Sequence, residues 1–283
     1  MTNPLPVCYI EPEGTPIACI HEERPMLLAI DVGNTNIALG VYKDSVLAAD
    51  WRIRTQLGRT ADEYGMLINE LLAYKGLALK DITGIVISNV VPPTMRDLLE
   101  TCHHYCNLEP YIVDAEKETG MVIHYEPRSN VGADRIANAV AAFTLYGGPA
   151  VVVDLGTATT FDAISATGEY MGGAIAPGVM ISLDALFRAT SRLPKIGLVC
   201  PPAAIGTTTE MSMQAGVLFG FAGQVDEMVI RFKRELGEES KVIATGGLAE
   251  LIAPETKTVQ IVNRLLTLEG LRLIWERHSG SKV

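Results

Sequence analysis

Two short segments combine a carboxylate, a glycine and small polar side chains in the same order. The first is Asp31-Val32-Gly33-Asn34-Thr35-Asn36 and the second is Asp154-Leu155-Gly156-Thr157-Ala158-Thr159-Thr160. Each follows a short apolar run typical of a buried strand. A tight turn at the glycine can present N–H groups to a phosphate, while the carboxylate reaches its metal ion directly or through water. Two such turns facing each other across a cleft could hold a triphosphate and its cation, whereas one alone would be an ordinary hairpin turn.

The two segments belong to an internal repeat with an offset of 154 − 31 = 123 residues. Each is followed by an alternating stretch, residues 36–43 and 159–166, that suits a second strand paired antiparallel with the first. Further along each half, strand patterns alternate with helical ones, for example residues 82–88 followed by 94–105. The sequence therefore predicts two α/β halves related by duplication.

Three helices are predicted from apolar periodicity and end signals. The first spans residues 61–74 behind a Thr60/Glu63 capping box, and the second runs from 132 to 145 and stops at Gly147 and Gly148. The third begins near a Thr207/Glu210 capping box and runs towards Leu236, with glycines at helical spacing at 216, 220 and 223. Those glycines allow close backbone approach, either to another helix of the same chain or at a subunit interface.

A carboxylate and a guanidinium stand side by side at Asp134 and Arg135, in the first turn of the second predicted helix. One interpretation is structural, with Asp134 complementing the helix dipole and Arg135 in a surface ion pair. The other is catalytic, with Asp134 as general base for a substrate hydroxyl and Arg135 neutralising an anion. The helix N-terminus is expected to favour the anionic form of Asp134.

Composition and absent motifs exclude several function classes. The formal net charge of −10 and the lack of a basic stripe argue against a nucleic-acid partner. The sequence contains no Gly-x-x-x-x-Gly-Lys-Ser/Thr segment, so nucleotide binding by a P-loop is not expected. It also contains no helix-opening Gly-x-Gly-x-x-Gly segment, so a nicotinamide-dependent dehydrogenase lacks its usual support. Five scattered cysteines do not favour a disulfide framework and suit a reducing cytoplasm. No apolar run reaches the length of a membrane span, so no membrane partner is expected.

Six motifs in register resemble the type III pantothenate kinase family, from Met26 to the end of the chain. They are DVGNTN at 31–36, GADR at 132–135, DLGTATT at 154–160, GGAIAPG at 172–178, IGTTT at 205–209 and ATGGLAELI at 244–252. The resemblance implies two duplicated ribonuclease-H-like domains of the actin-like ATPase type with a central cleft. It also implies ATP-dependent phosphorylation of pantothenate to 4'-phosphopantothenate, the first step of coenzyme A biosynthesis.

The resemblance assigns roles to individual residues. The catalytic base is Asp134, and Asp154 holds a monovalent cation, K+ or NH4+. Mg2+ accompanies the nucleotide, and the glycine-rich turn at 245–247 lies near the adenosine. The ATP contacts are Asp31, Val32, Gly33, Asn34, Thr35, Asn36 and Thr157. The pantothenate contacts are Tyr125, Gly132, Ala133, Asp134, Arg135 and Thr209. A homodimer is implied as well, because the family's substrate pocket lies against the partner subunit.

The same resemblance divides the chain into an N-terminal half at 26–118 and a C-terminal half at 119–283. Residues 1–25, rich in proline, have no family counterpart and are interpreted as an extension, either a mis-assigned start or a disordered leader. Two other functions stay open at this point. One is a non-catalytic transcription accessory factor on the same scaffold, and the other is a kinase of a different small hydroxylated or carboxylate acceptor. The acidic residues at 31, 134 and 154 argue against the non-catalytic factor, and Tyr125 with the GADR motif favours pantothenate as the acceptor.

Overall fold

The structure is a computed structural model that describes residues 25–280 of the 283-residue chain. The predicted extension at 1–25 lies outside the described residues apart from Pro25. The ten strands in that range are β1 (Met26–Val32), β2 (Asn36–Lys43), β3 (Val46–Arg54), β4 (Gly84–Asn89), β5 (Tyr111–Ile112), β6 (Ala150–Leu155), β7 (Ala158–Ile164), β8 (Tyr170–Pro177), β9 (Lys241–Thr245) and β10 (Ile261–Val262). The α-helices are α1 (Ala61–Tyr74), α2 (Met95–Thr101), α3 (Ala133–Tyr146), α4 (Val179–Ala189), α5 (Thr209–Leu236), α6 (Ala249–Ile252) and α7 (Leu266–Ser279).

The strands form two five-stranded sheets of the same design. Their orders are β3-β2-β1-β4-β5 and β10-β9-β6-β7-β8. In each sheet the first three strands in sequence are antiparallel neighbours, and the last two extend the sheet in parallel from its first strand. The predicted duplication and the α/β fold class are therefore confirmed.

Helices α3 and α7 lie between the two sheets and share one apolar core with both. The core takes Leu27 and Ala29 from β1 and Ala150 and Val152 from β6, each with the helical residues facing them. At the crossing of α3 and α7, a Cβ on Gly270 would lie 1.9 Å from the carbonyl oxygen of Ala137, so only glycine fits there. Two further clusters cover the outer sheet faces, with α1 and α2 on the first sheet and α4, α5 and α6 on the second.

Side-chain alternation along β1 and β6 decides where the repeated carboxylates point. Because alternate residues of a strand face opposite sides, Asp31 faces the same side as Leu27 and Ala29. Asp154 follows Ala150 and Val152 in the same way. Both carboxylates consequently lie on the inner sheet faces, at the ends of their strands, where the two halves meet.

The predicted helices are confirmed with one correction. Helix α1 spans the predicted residues behind the Thr60/Glu63 capping box, and α3 ends at Gly147. Helix α5 begins one residue later than its predicted capping box, because the side chain of Thr208 caps Met211 and Thr208 is the N-cap. Within residues 25–280, no helix is long and apolar enough to cross a membrane.

Candidate active site

The two repeated turns have the same hydrogen-bonded form but differ by one residue. The N–H of Gly33 donates to the carbonyl of Asn36 at 3.0 Å, and the N–H of Gly156 donates to the carbonyl of Ala158 at 3.1 Å. The first turn is therefore one residue longer than the second. With that extra residue allowed for, Thr35 and Thr157 are equivalent, and their hydroxyl oxygens lie 2.8 Å apart. The structure thus joins the two turns directly across the cleft.

Thr55, just after β3, braces the first turn from the side. Its hydroxyl donates to the carbonyl of Gly33 at 2.6 Å, and its N–H donates to the carbonyl of Thr35 at 3.0 Å. These two bonds fix the exposed part of the turn, which consists of Asn34, Thr35 and Asn36. The backbone groups of this loop are consequently held in place before a ligand binds, which reduces the entropy lost on binding.

Asp31 is a partly buried carboxylate, and one of its oxygens has no hydrogen-bond partner among residues 25–280. Its Oδ1 atom is buried and unpaired, as is the hydroxyl of Ser88, its neighbour on β4. Burial, together with the charges of Asp134 and Asp154, raises the pKa of Asp31 to about 7 against the opposing effects of Ser88 and Arg52. A carboxylate in this setting gains stability when a cation neutralises it.

Asp154 occupies the equivalent place in the second half and is held by a relay of side chains. Asn138 of α3 donates to its Oδ2 at 3.2 Å, and the hydroxyl of Thr267 donates to Asn138 Oδ1 at 2.8 Å. Gly246 packs against the other oxygen, since a Cβ there would lie 2.4 Å from Asp154 Oδ1. Burial, followed by the charge of Asp134, raises the pKa of Asp154 to about 7.

Asp134 lies in the first turn of α3, close enough to both strand-end carboxylates to raise their pKa values. Its Oδ1 accepts the N–H of Arg135 at 2.8 Å, and Gly132 leaves room for it, because a Cβ there would lie 2.5 Å from that oxygen. The pKa of Asp134 is raised, since burial outweighs the stabilisation of the anion by Arg135. The backbone N–H groups at the start of α3 favour the anionic form of Asp134, as expected, but burial outweighs them, so the net shift of this pKa is opposite to the expected one.

Arg135 is buried rather than on the surface, and it belongs to a charged network. It is 7% exposed, and its Nε donates to Asp162 Oδ1 at 2.7 Å. The hydroxyl of Tyr170 donates to the same oxygen at 2.8 Å, and the guanidinium lies 5.8 Å from the centre of the Tyr170 ring. In the part of the chain that the structure describes, Arg135 Nη2 and Asp162 Oδ2 are both buried without a partner. The structural reading of Arg135 as a surface ion pair is thus wrong.

We expect Asp162→Asn to lower the free energy of unfolding by about 3–5 kcal/mol, because Arg135 would be left buried without a counter-charge. Denaturant unfolding at neutral pH measures this loss. The matched control is Glu227→Gln, which removes one partner of the exposed Glu227–Arg231 pair at 2.7 Å and should change stability by no more than about 0.5 kcal/mol. Equal effects of the two substitutions would contradict the importance of this buried pair.

Tyr125, Gly132 and Ala133 lie on the same side as this network. The rings of Tyr125 and Tyr170 are 6.5 Å apart between centres, and a Cβ on Gly172 would lie 3.7 Å from the Tyr125 ring. Gly132 is the N-cap of α3 and Ala133 its first residue. These residues therefore lie beside Asp134, Arg135 and Tyr170.

Thr209 is separate from the other predicted site residues. It is the exposed first residue of α5 and lines a groove of about 820 Å³ between α4 and α5. None of the other predicted site residues lines that groove. Gly216 and Gly220 also line it, and a Cβ on either of them or on Gly223 would meet no atom within 4 Å. Among the described residues, these glycines do not serve helix packing within the chain.

The carboxylates at the strand ends are candidate ligands for a cation. Within residues 25–280, no three His, Cys, Asp or Glu side chains form a metal cage. The unpaired oxygen of Asp31 and the raised pKa values of Asp31 and Asp154 still fit a cation that takes its remaining ligands from phosphate and water. Mg2+ prefers this mode of binding beside nucleotide phosphates.

Sequence reasoning missed the residues that support the predicted ones. Asn138 and Thr267 hold Asp154, Asp162 and Tyr170 hold Arg135, and Thr55 holds the first turn. Only Asp162 carries a signal in the sequence, because it interrupts the apolar side of a buried strand. The others are ordinary residue types whose role depends on the packing of distant segments.

Three solved structures share the architecture at low sequence identity. They are EutJ, an ethanolamine utilization protein from Carboxydothermus hydrogenoformans (TM-score 0.55, 16% identity, 88% of this chain and 90% of that one), the activator of 2-hydroxyisocaproyl-CoA dehydratase from Clostridium difficile with bound ADPNP (0.53, 15%, 92% and 98%), and a Campylobacter jejuni protein provisionally named a Baf family transcriptional activator (0.52, 20%, 89% and 98%). At these identities the likeness concerns the fold alone. The fold is that of two duplicated ribonuclease-H-like domains of the actin-like ATPase type.

A family model described as type III pantothenate kinase matches residues 27–231. The type III pantothenate kinase of Moorella thermoacetica is 50% identical over 254 residues, covering 90% of this chain and 100% of that protein, and that of Geobacter sulfurreducens is 51% identical over 253 residues, covering 89% and 99%. The chain belongs to the type III pantothenate kinase family.

Proposed function

We propose that this enzyme transfers the γ-phosphoryl group of ATP to the primary hydroxyl of pantothenate, which makes 4'-phosphopantothenate for coenzyme A biosynthesis. The observation that carries the proposal is the position of Asp134, a partly buried carboxylate of raised pKa beside the two strand-end carboxylates of the paired turns. Family membership supports pantothenate as the acceptor.

Asp134 acts as the general base. It accepts a hydrogen bond from the pantothenate hydroxyl and orients its oxygen in line with the γ-phosphorus and the departing ADP oxygen. As the new P–O bond forms and the bond to ADP breaks, the hydroxyl proton passes to Asp134. The raised pKa suits this role, since a more basic carboxylate is the better proton acceptor near neutral pH. Phosphoryl transfer depends mainly on positioning and charge neutralisation.

The paired turns bind the ATP phosphates. The Thr35 and Thr157 hydroxyls, which contact each other at 2.8 Å, would each turn to a phosphate oxygen. The N–H groups of the braced first turn, from Gly33 to Asn36, supply further donors. Asp31, through its unpaired Oδ1, would help to hold the Mg2+ of the nucleotide, and the ion would supply positive charge to the phosphate oxygens.

Asp154 is the proposed site of the monovalent cation, K+ or NH4+. Its burial and its raised pKa favour a bound positive charge, and the Asn138–Thr267 relay fixes its orientation. Gly246 packs against its Oδ1 without a side chain that would crowd a bound ion. A single positive charge here would also reduce the repulsion between Asp154 and ATP.

Arg135 and Tyr125 are proposed to bind pantothenate. Arg135 Nη2 has no partner and can donate to the pantothenate carboxylate, while Asp162 keeps the guanidinium in one orientation. Gly132 and Ala133 lie beside Asp134 at the start of α3. A larger side chain in place of Gly132 would displace the base.

The enzyme is proposed to act as a homodimer in the cytoplasm. The face formed by β8 and α4 exposes large apolar residues, of which Ile175 is 65%, Met180 51% and Ile181 47% exposed. A second copy would cover this face and the open glycines of α5. Contact between copies would also bring the otherwise isolated Thr209 towards a pantothenate site.

We expect Ile181→Glu to convert the dimer into a monomer and to lower pantothenate turnover at least tenfold, because a charge would be buried in the apolar interface. Sedimentation velocity measures the oligomeric state. The control is Tyr74→Glu, at an 83% exposed position at the end of α1, which should leave the dimer unchanged. A wild-type protein that sediments as a monomer would contradict the dimer.

ADP release tests the function when several acceptors are compared. Purified enzyme with ATP and Mg2+ should release ADP in the presence of pantothenate and only at background rate with acetate or a hexose. Replacement of K+ by Na+ should slow the reaction. ADP release that depends on another acceptor would favour a different kinase of the same fold. If no acceptor stimulates ADP release, the non-catalytic alternative is favoured, although the three intact carboxylates argue against it.

A further inference from the structure

Arg52 on β3 lies in one cross-strand row with the carboxylate of the first turn. It is directly opposite Ala38 on β2, and Ala38 is directly opposite Asp31 on β1. Directly opposite residues of neighbouring strands point to the same sheet face. The row therefore runs across the inner face, and the small side chain of Ala38 leaves space for the guanidinium to extend towards Asp31.

The same guanidinium reaches the second half of the molecule. A Cβ built on Gly247 would lie 3.3 Å from Arg52 Nη1, and Gly247 belongs to the turn whose preceding residue, Gly246, packs on Asp154. The charge of Arg52 lowers the pKa of Asp31 and of Asp154. Arg52 thus extends from the first half across the cleft to the glycine-rich turn of the second.

Arg52 is exposed, and within residues 25–280 its side chain forms no hydrogen bond and no ion pair. Arg135, the other arginine at the site, is already engaged by Asp162. The cleft contains Asp31, Asp134 and Asp154, and a bound ATP adds several negative charges to them. A free guanidinium between the two turns offers the fork of donors that binds phosphate oxygens in pairs.

We propose that Arg52 binds the terminal phosphates of ATP across the cleft. This role is separate from those of the two turns, and it rests on the proposed function only in that the nucleotide is ATP. In the bound state Arg52 links a strand of the first half to phosphates that lie against the second, so it also favours approach of the two halves around the nucleotide.

The test compares nucleotide affinities of the wild type, Arg52→Gln and Arg52→Lys by equilibrium titration with ATP and with AMP. We expect Arg52→Gln to weaken ATP binding about 10- to 100-fold and to leave AMP binding unchanged, because AMP lacks the terminal phosphates. Arg52→Lys keeps the charge but loses the fork, so it should recover part of the affinity. Unchanged AMP binding also serves as the folding control.

The matched control is Lys43→Gln, which removes one positive charge at the other end of the same hairpin. Lys43 is exposed and lies five residues from Ala38 along β2, about 17 Å away. That exceeds the Debye length of about 8 Å at physiological salt, so ATP affinity should not change. Equal ATP affinities of Arg52→Gln and Lys43→Gln would overturn the proposal, as would an equal loss for ATP and AMP.

The binding series is independent of the acceptor. If the wild type binds ATP but phosphorylates no pantothenate, the proposed function fails while the comparison of ATP with AMP still decides the role of Arg52. If the wild type phosphorylates pantothenate and Arg52→Gln keeps full ATP affinity, the role of Arg52 alone is overturned.

Discussion

Asp134→Asn is expected to lower kcat for pantothenate phosphorylation by about 10²- to 10⁴-fold while ATP still binds with near-normal affinity. Asparagine has almost the same shape and keeps an oxygen that can accept the N–H of Arg135, so the start of α3 should be preserved. What it loses is the capacity to take a proton from the substrate hydroxyl. Steady-state kinetics and ATP titration of the same preparation separate the two effects.

ATP affinity of Asp134→Asn is also expected to rise slightly, because the substitution removes one negative charge near the phosphates. The charge of Asp134 already raises the pKa values of Asp31 and Asp154. A variant with near-normal kcat would remove Asp134 from the role of base. A variant that no longer binds ATP would mean that Asp134 has a structural role in the nucleotide site.

Asp31→Asn is expected to stabilise the ligand-free protein at pH 8 while it weakens Mg2+-dependent activity. The pKa of Asp31 is raised from 3.8 to about 7, so the folded state favours the protonated form. Below pH 3.8 the Asp31 carboxyl is protonated in both the folded and the unfolded state, so it does not change the free energy of unfolding. As the pH rises towards 7, Asp31 ionises in the unfolded chain before it ionises in the folded protein. The resulting loss in the free energy of unfolding reaches ~2–4 kcal/mol above pH 7. Asparagine avoids this loss.

Thermal and denaturant unfolding between pH 5 and pH 8 would measure the effect. The difference between Asp31→Asn and the wild type should be largest at pH 8 and shrink as the pH falls. Glu116→Gln, at an exposed position, is the control and should leave the pH dependence unchanged. If Asp31→Asn lowers stability at pH 8 by as much as at pH 5, burial is not what raises the pKa of Asp31. Addition of Mg2+ and ATP should stabilise the wild type more than the variant.

Local sequence patterns were enough to predict the framework of the site. The repeat of Asp-x-Gly after an apolar strand predicted both the duplication and the turns that meet at Thr35 and Thr157. Period-2 alternation places Asp31 and Asp154 on inner faces once the sheets are known to be paired. The capping box at Thr60 gave the start of α1 correctly, whereas three adjacent threonines left the start of α5 uncertain by one residue.

What could not be predicted depends on contacts between distant segments. The burial of Arg135 follows from its pairing with Asp162, 27 residues away, and the orientation of Asp154 follows from Thr267, which reaches it through Asn138. The pKa of Asp134 could not be given the right direction from its helix position, because burial between the halves outweighs the helix N-terminus. The position of the Arg52 guanidinium opposite the Gly247 turn could not be predicted either, because it depends on how the two halves pack.

Analysis of the reaction product by mass spectrometry and phosphorus NMR tests the central claim most directly. Purified enzyme, ATP, Mg2+ and K+ are incubated with pantothenate, with Asp134→Asn as the matched sample. We expect ADP and 4'-phosphopantothenate in equal amounts, phosphorylated at the primary hydroxyl, from the wild type and little of either from the variant. ADP with inorganic phosphate and unmodified pantothenate, or equal product from both proteins, would contradict the account.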